Sequence, residues 1–454
     1  MSILDEIMAR KRVDVGRRME DVPYSDLRAK TAPTTRSFGA ALKKPGTRFI
    51  MECKKASPSE GLIRKNFDID EIAGVYSRFA DAVSVLTDEP YFQGSLGVLR
   101  RARGLLDRPI LAKDFVFHPY QVCEARFHGA DAALLILSVL DDAAYRACAD
   151  EAERLSMDVL TEVHDDAEMS RALALGAKII GVNNRNLKTL GVDTDLCARL
   201  AARVPSDRLL VCESGVKSHE DVLRLRSAAR VFLVGGALMK AERLDLAARR
   251  LVYGGVKVCG LTSPEDAVAA YEAGAVFGGV IFAPSPRRVD EATAQSITTA
   301  SPLPMVGVFV NEAPESAARL AAYLGLTAVQ LYGGGQSSPC GAADDRYDCE
   351  VWEAFRVRDK LPPSMDGCGR VLLDSEKSGA GKSFAWSLVS GLADKLGTSV
   401  LSRVILAGGI NEGNAREAAA LGCYAIDVNS GVESAPGVKD HVKIRRLFDT
   451  LRNF

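Results

Sequence analysis

Charged side chains inside otherwise apolar runs mark where this sequence can do chemistry. A strand buried on both faces tolerates a charge only when that charge is paired or used. The run FIMECKKASPS places Glu52 and Lys54 two residues apart, so both side chains leave a strand on one side, with Cys53 on the other as a small core residue. PILAKDF carries Lys113, DVLTEV carries Glu162, IIGVNNR carries Asn183 and Arg185, and LLVCESG carries Glu213 and Ser214. These carboxylates and lysines at strand ends are the groups that give or take protons in general acid–base catalysis. A structural ion-pair network would use the same residue types, but so many ionisable groups gathered at strand ends favour function.

The second half holds a different set. VKVCGLT ends on Cys259 and RVLLDS ends near Asp374, a thiol and a carboxyl that would flank one substrate if their strands face each other. Burial alone is the other reading of the cysteine, and a turn or helix cap that of Asp374. Arg287, in SPRRV, either binds a carboxylate or is solvated. Small residues follow the late strands in both halves: Ser214 and Gly215, then Gly235 and Gly236; later Gly408 and Gly409 in AGGIN, then Asp427, Asn429 and Ser430 in DVNSG. Such loops present backbone N–H groups to a phosphate without needing net positive charge. The segment 379–383 (GAGKS) resembles the end of a nucleotide-binding loop, but Glu376 stands where that motif needs its first glycine.

Short apolar runs alternate with amphipathic segments along the whole chain. In the first half the strand-like runs cover 48–54, 82–88, 109–115, 133–139, 158–163, 179–184, 209–214 and 231–236. Helical patterns lie between them, as over 141–155 and 164–175. Apolar strands separated by helices are parallel strands buried on both faces. Eight such units predict an α/β fold, a (β/α)8 barrel, with active groups at the C-terminal strand ends and phosphate near the last two strands. Ahead of it, about 47 residues predict a helix over 3–19 and an extended link packed on one barrel end. The pattern restarts after Tyr253-Gly254-Gly255, with strand-like runs at 256–261, 277–283, 305–310, 328–332, 349–357, 371–375, 403–409 and 425–430. The expectation is two tandem barrels, residues 1–254 and 255–454, the second with a Gly/Ser-rich insertion over 333–348. Two doubly wound open sheets are the other architecture compatible with the local pattern.

Composition removes other classes. With 47% hydrophobic and 26% charged residues in a chain of 454, disorder is excluded. Lys and Arg number 58 against 59 Asp and Glu, so nothing here holds nucleic acid or an anionic membrane non-specifically. No apolar run is long enough to span a membrane, and the charged N-terminus does not read as a signal peptide. Ten scattered cysteines without a C-x-x-C pair predict reduced cytoplasmic thiols and no metal site.

The motifs FIMECKKASPSEG, VSVLTDEPYFQGS, PILAKDF, HPYQ, LLILSVLDD, VLTEV, GVNNRNL and ESG resemble indole-3-glycerol-phosphate synthase. VKVCGLT, GVIFAPSPR, VGVFVN, AVQLYG, LLDS with SGAGKSFAWSL, ILAGGI and DVNSGVESAPGVKDH resemble phosphoribosylanthranilate isomerase. Their order is that of the fused bifunctional family of tryptophan biosynthesis. The resemblance implies a TIM barrel for each half and two consecutive reactions. The C-terminal half would isomerise N-(5′-phosphoribosyl)anthranilate, and the N-terminal half would close the product to indole-3-glycerol phosphate with loss of carbon dioxide and water.

By the same resemblance, Asp374 is the isomerase general acid, with a raised pKa, and Cys259 the general base, with a depressed one. Arg287 holds the anthranilate carboxylate. Lys113 is the synthase general acid and Glu162 the acid–base group of the dehydration. Glu52, Lys54, Asn183, Arg185, Glu213 and Ser214 complete that site, with Ser57 in the loop after the first strand and Gly215, Gly235 and Gly236 in the phosphate cradle. No cofactor is implied; the partners are phosphorylated anthranilates, and a monomer is expected. Tyr332 stands where the isomerase family usually has His, and Gly236 where Ser is common. Two alternatives are a fusion with one decayed barrel and a histidine-biosynthetic sugar-phosphate isomerase, which would use two aspartates in place of Cys259 and Asp374.

Overall fold

The computed structural model describes residues 2–186, 189–333, 346–362, 365, 369–375 and 383–453. The chain divides into two compact units, Met1–Leu251 and Val252–Phe454. Each contains one closed ring of eight parallel strands. In the first, β1 (Arg48–Cys53), β2 (Ala82–Leu86), β3 (Ile110–Lys113), β4 (Ala132–Ile136), β5 (Asp158–Val163), β6 (Ile179–Asn183), β7 (Leu209–Glu213) and β8 (Val231–Val234) pair in sequence order, and β8 returns to β1. In the second, β9 (Val256–Val258), β10 (Phe277–Ile281), β11 (Met305–Val310), β12 (Ala328–Tyr332), β13 (Glu350–Val357), β14 (Arg370–Ser375), β15 (Val404–Leu406) and β16 (Ala425–Val428) do the same. Both units are (β/α)8 barrels, and the open-sheet alternative is excluded by the closure of each ring.

Closure follows from the residues. The first ring is filled by Ile50, Ala82, Leu111, Leu134, Leu160, Val211 and Val231, all buried. The second is filled around Trp352, which is fully buried and meets Phe277 edge to face at 5.1 Å. The small Ala328 and Ala425 belong to the same core. Within the second unit the Tyr253 ring packs edge-on against Phe448 at 5.2 Å.

The N-terminal extension corrects one expectation. After α1 (Ile3–Asp21) the chain is not simply extended but forms α2 (Tyr24–Lys30) and α3 (Phe38–Leu42). The patterns of α2 and α3 are too short for periodicity to reveal them. The extension serves both ends of the first barrel. At the N-terminal end, Ser37 Oγ and the Gly39 amide donate to Asp158 Oδ2 at 3.1 and 2.9 Å. At the C-terminal end, Lys11 of α1 reaches Asp88 and Asp114 at 2.6 and 2.7 Å. Burial opposes the Lys11 charge, but the two aspartates outweigh it and raise the lysine above its ordinary value. Removing one partner of such a buried cluster strands the others. Lys11→Ala is therefore expected to lower stability by about 3–5 kcal/mol in denaturant titration and to loosen α1 from the mouth it covers.

Among the described residues, no helix is long and apolar enough to cross a membrane.

Candidate active sites

Side chains alternate along a strand, so the inward residue nearest each C-terminal end faces the barrel mouth. In the first barrel this rule gathers the predicted groups around one cavity of about 540 Å³. Lys113 Nζ donates to Glu213 Oε2 at 2.6 Å and to Glu162 Oε2 at 3.4 Å. Asn183 Nδ2 donates to Glu162 Oε1 at 3.0 Å, and Lys54 Nζ lies 3.1 Å from Glu52 Oε1. Two glycines make room: a Cβ on Gly181 would fall 2.0 Å from Glu213 Oε1, and one on Gly235 would fall 2.5 Å from Glu52 Oε1. Buried Glu52 Oε2 and Glu213 Oε1 have no hydrogen-bond partner among the described residues, leaving two acceptors for a ligand's donors.

Burial opposes the charge on Lys113, yet Glu213, Glu162 and Glu52 together raise it above the ordinary lysine value. Glu162 ends below the usual carboxylate range: burial would raise it, but Lys113, His164 and Asn183 outweigh that. Burial pushes Glu213 the other way, with Glu162 adding to the push and Lys113 resisting it. The site thus holds a cationic donor, an ionised acceptor and a carboxyl that retains its proton more readily, the spread needed for proton transfer in both directions.

Ser57, Arg185, Ser214, Gly215, Gly235 and Gly236 line the same cavity. Arg185 Nη1 donates to Ser59 Oγ at 3.3 Å and to the Leu190 carbonyl at 3.2 Å. Ser214 and Gly215 have φ of 62° and 82°, successive left-handed residues that gather backbone N–H groups toward an anion. Phe92, Phe115, Leu134 and Ile136 form an apolar wall, to which α1 adds Ile3, Leu4 and Ile7. The cavity therefore fits a ligand with an anionic end and a flat apolar end.

His164 is the residue that sequence reading passed over here. Its Nε2 lies 3.1 Å from Glu162 Oε1, and its Nδ1 lies 3.1 Å from Glu168 Oε2. Burial opposes its charge, but the two glutamates outweigh it and raise His164 from 6.5 to about 10. A raised basic group stabilises the fold fully below its unfolded value, and that contribution is lost as pH climbs through the folded one. The first unit should therefore melt lower at pH 9.5 than at pH 6. Each kcal/mol shifts the midpoint by about 2–4 °C in a domain of this size. His164→Gln should shrink the difference, which thermal melts across pH would reveal; an unchanged pH dependence would refute the role.

The second barrel centres on a fully buried lysine that the sequence reading also missed. Lys257 Nζ donates to Cys259 Sγ at 3.1 Å, Gln330 Oε1 at 2.8 Å and Asp427 Oδ2 at 3.0 Å. Its signal was present, a charge between valines in VKVCGLT, the same anomaly that marks Lys113. Cys259 and Asp374 line one cavity of about 310 Å³ together with Arg287, Gln330, Tyr332, Arg356, Gly408, Gly409, Asp427, Asn429 and Ser430. Asp374 Oδ1 accepts the Ser375 amide at 2.8 Å, and Oδ2 accepts the Tyr332 hydroxyl at 3.1 Å.

Three expectations change in detail. The Cys259 thiol is raised, not depressed: burial and Asp427 outweigh Lys257 and Lys439. Asp427 bonds to Lys257, and a carboxylate so placed serves the cation rather than a phosphate. Arg287 is not solvated; its Nε and Nη2 grip Glu433 Oε1 and Oε2 at 2.8 and 2.7 Å. Lys439 secures the same glutamate at 2.9 Å and Asn429 Oδ1 at 2.9 Å. Gly408 and Gly409 have φ of 89° and 71°, and a Cβ on Gly408 would fall 2.7 Å from the Ser375 amide nitrogen. Residues 379–382 of the loop resembling a nucleotide-binding motif, and residues 334–345 of the insertion, lie outside the described residues. Among the described residues, no group of three or more His, Cys, Asp or Glu is arranged to hold a metal ion.

The family model for indole-3-glycerol phosphate synthase matches residues 4–251, and that for N-(5′-phosphoribosyl)anthranilate isomerase matches residues 256–450. The chain is 44% identical over 463 residues to the tryptophan biosynthesis protein TrpCF of Yersinia pestis, covering 99% of this chain and 94% of the relative. It is 44% identical over 460 residues to the protein of that name from Vibrio cholerae, covering 100% of this chain and 96% of the relative. Among solved structures, the phosphoribosyl anthranilate isomerase of Thermus thermophilus is 37% identical over 43% of this chain and 98% of its own, with a TM-score of 0.39.

Proposed function

The chain belongs to the bifunctional family that joins indole-3-glycerol-phosphate synthase to phosphoribosylanthranilate isomerase, and on that premise we propose how its residues divide the two reactions. The chain is a tryptophan-biosynthesis enzyme, a lyase in its N-terminal barrel and an isomerase in its C-terminal one. The decayed-scaffold alternative is set aside.

In the isomerase half, assigned to residues 255–454, Asp374 protonates the ribose ring oxygen of N-(5′-phosphoribosyl)anthranilate. The C1′–O bond breaks, and the nitrogen lone pair forms an iminium. Cys259, as thiolate, removes the C2′ proton, and the resulting enol tautomerises to the deoxyribulose phosphate. Lys257 steadies the sulfur negative charge from 3.1 Å. Arg287, held by Glu433, meets the anthranilate carboxylate. Gly408, Gly409, Asn429 and Ser430 hold phosphate through N–H and hydroxyl donors.

In the synthase half, assigned to residues 1–254, Lys113 protonates the ketone oxygen as the anthranilate ring carbon bonds to the carbonyl carbon. The carboxylate leaves as carbon dioxide and rearomatises the ring. Glu162 then takes a proton from the ring carbon beside the new hydroxyl and delivers it to that hydroxyl, which leaves as water and completes the indole. Glu52 and Lys54 flank the carboxylate-bearing end; Asn183 fixes Glu162, and Glu213 fixes Lys113. Arg185 and Ser57 close over the substrate, while Ser214, Gly215, Gly235 and Gly236 hold its phosphate. The protein acts as a cytoplasmic monomer on these small phosphorylated anthranilates and needs no cofactor.

One observation carries this division. Lys113–Glu162–Glu213 and Cys259–Lys257–Asp427 are separate, internally bonded acid–base sets, one in each unit. The test is to supply N-(5′-phosphoribosyl)anthranilate alone, follow loss of its fluorescence and identify products by mass. Indole-3-glycerol phosphate is the expected product. Accumulation of the deoxyribulose phosphate would sink the synthase assignment, and untouched substrate the isomerase one.

A further inference from the structure

Tyr332 departs from the family's usual histidine, yet it occupies a defined place. Gln330 and Tyr332 are alternate residues of β12 and point to the same side, into the isomerase cavity. All three protons of the Lys257 ammonium are used, on Cys259, Gln330 and Asp427. Because Lys257 only donates, Gln330 must turn its carbonyl oxygen to it. The amide nitrogen then faces the phenol and donates to Tyr332 Oη at 3.2 Å. A phenol has one proton; with its oxygen accepting from Gln330, that proton goes to Asp374 Oδ2, 3.1 Å away. Every donor and acceptor in the series is assigned by the one before it.

We propose that Tyr332 is a positioning residue for Asp374, with its hydroxyl proton aimed by Lys257 through Gln330. This rests on the assignment of Asp374 as the isomerase acid. The chain of bonds fixes the carboxyl rotamer, and it stabilises the carboxylate left after the proton has gone to the ring oxygen. Burial and Asp374 hold the phenol well above its ordinary pKa, so it keeps its proton throughout. Among the described residues, the other charged groups lining this cavity beside the carboxyl are Arg356, opposite Asp374 in the β13–β14 register and beside the Tyr332 ring, and the Lys257, Asp427 and Cys259 cluster.

The test measures isomerase kcat, KM and pH profile in the full chain. Tyr332→Phe keeps the ring and removes only the hydroxyl. It is expected to lower kcat by about tenfold or more, the usual weight of a hydrogen bond to a charged group, with KM within about twofold. Losing a donor to the carboxylate favours its protonated form, so the limb of the profile that reports Asp374 moves to higher pH and the other limb stays. Gln330→Leu keeps the phenol but frees its proton, and should move the same limb in the same direction by less. A raised KM at unchanged kcat would make Tyr332 a substrate contact and overturn the proposal, as would a profile with both limbs in place. Asp374→Asn separates the two possible failures. If it turns over normally, the acid assignment falls and the proposal with it. If it is inactive while Tyr332→Phe behaves as wild type, the positioning chain alone is overturned.

Discussion

Lys113→Ala should stop indole formation while leaving the isomerase untouched. Supplied with N-(5′-phosphoribosyl)anthranilate, the variant should consume it at the wild-type rate and accumulate the deoxyribulose phosphate. The expected fall in synthase kcat is about 10²–10⁴-fold, the range for loss of a positioned general acid. Electrostatics deepens it. Lys113 is bonded to Glu213 and Glu162 from 2.6 and 3.4 Å. Without the ammonium these two buried carboxylates face each other unneutralised, and at least one takes up a proton near neutral pH. Glu162 would then no longer be the ionised acceptor that the dehydration needs. Lys113→Met fills more of the vacated volume and guards against reading a folding defect as a catalytic one. Indole-3-glycerol phosphate appearing from either variant at the wild-type rate would refute the assignment.

The complementary result is expected from Cys259→Ala. Isomerase turnover should fall by about 10²–10⁴-fold, while synthase activity, assayed with the deoxyribulose phosphate itself, remains. Only a sulfur atom is lost, and Lys257 retains Asp427 and Gln330 as partners, so the fold should hold. The direction of the thiol shift adds a pH signature. Burial and Asp427 raise Cys259 above its ordinary value, so the free protein holds mostly thiol at neutral pH. Thiolate is the active form, so kcat/KM for the isomerase should rise as pH climbs toward that elevated value. Loss of both activities from this one substitution would mean that the two sites are not independent.

Much of the site was legible because a charge in a doubly buried parallel strand is anomalous within a window of a few residues. Glu52, Lys113, Glu162 and Glu213 stood out on that ground, and the same rule applied more strictly would have found Lys257. Gln330 was harder, since an uncharged amide in AVQLYG breaks the pattern only mildly. His164 was hidden by its position just past the strand, where polar residues are ordinary. Glu433 and Lys439 lie in a hairpin beyond the last strand, and nothing local ties them to Arg287, 146 residues from Glu433.

By itself the sequence determined two sets of eight strands alternating with helices, the charged residues at their ends and the small residues of the loops after the late strands. Each of these depends on residue type and on spacing within one strand–helix unit. The tertiary structure alone decided the partners. Lys113 and Glu213 are 100 residues apart, and Lys257 and Asp427 are 170. Closure of the ring brings such pairs together, and the balance of burial against those partners then sets the sign of each pKa. That is why the extension serves both barrel ends and why Arg287 arrives already held. It is also why Cys259 is raised despite a lysine 3.1 Å away. Desolvation and the nearby Asp427 depend on everything that surrounds the thiol, and no stretch of chain around residue 259 contains that information.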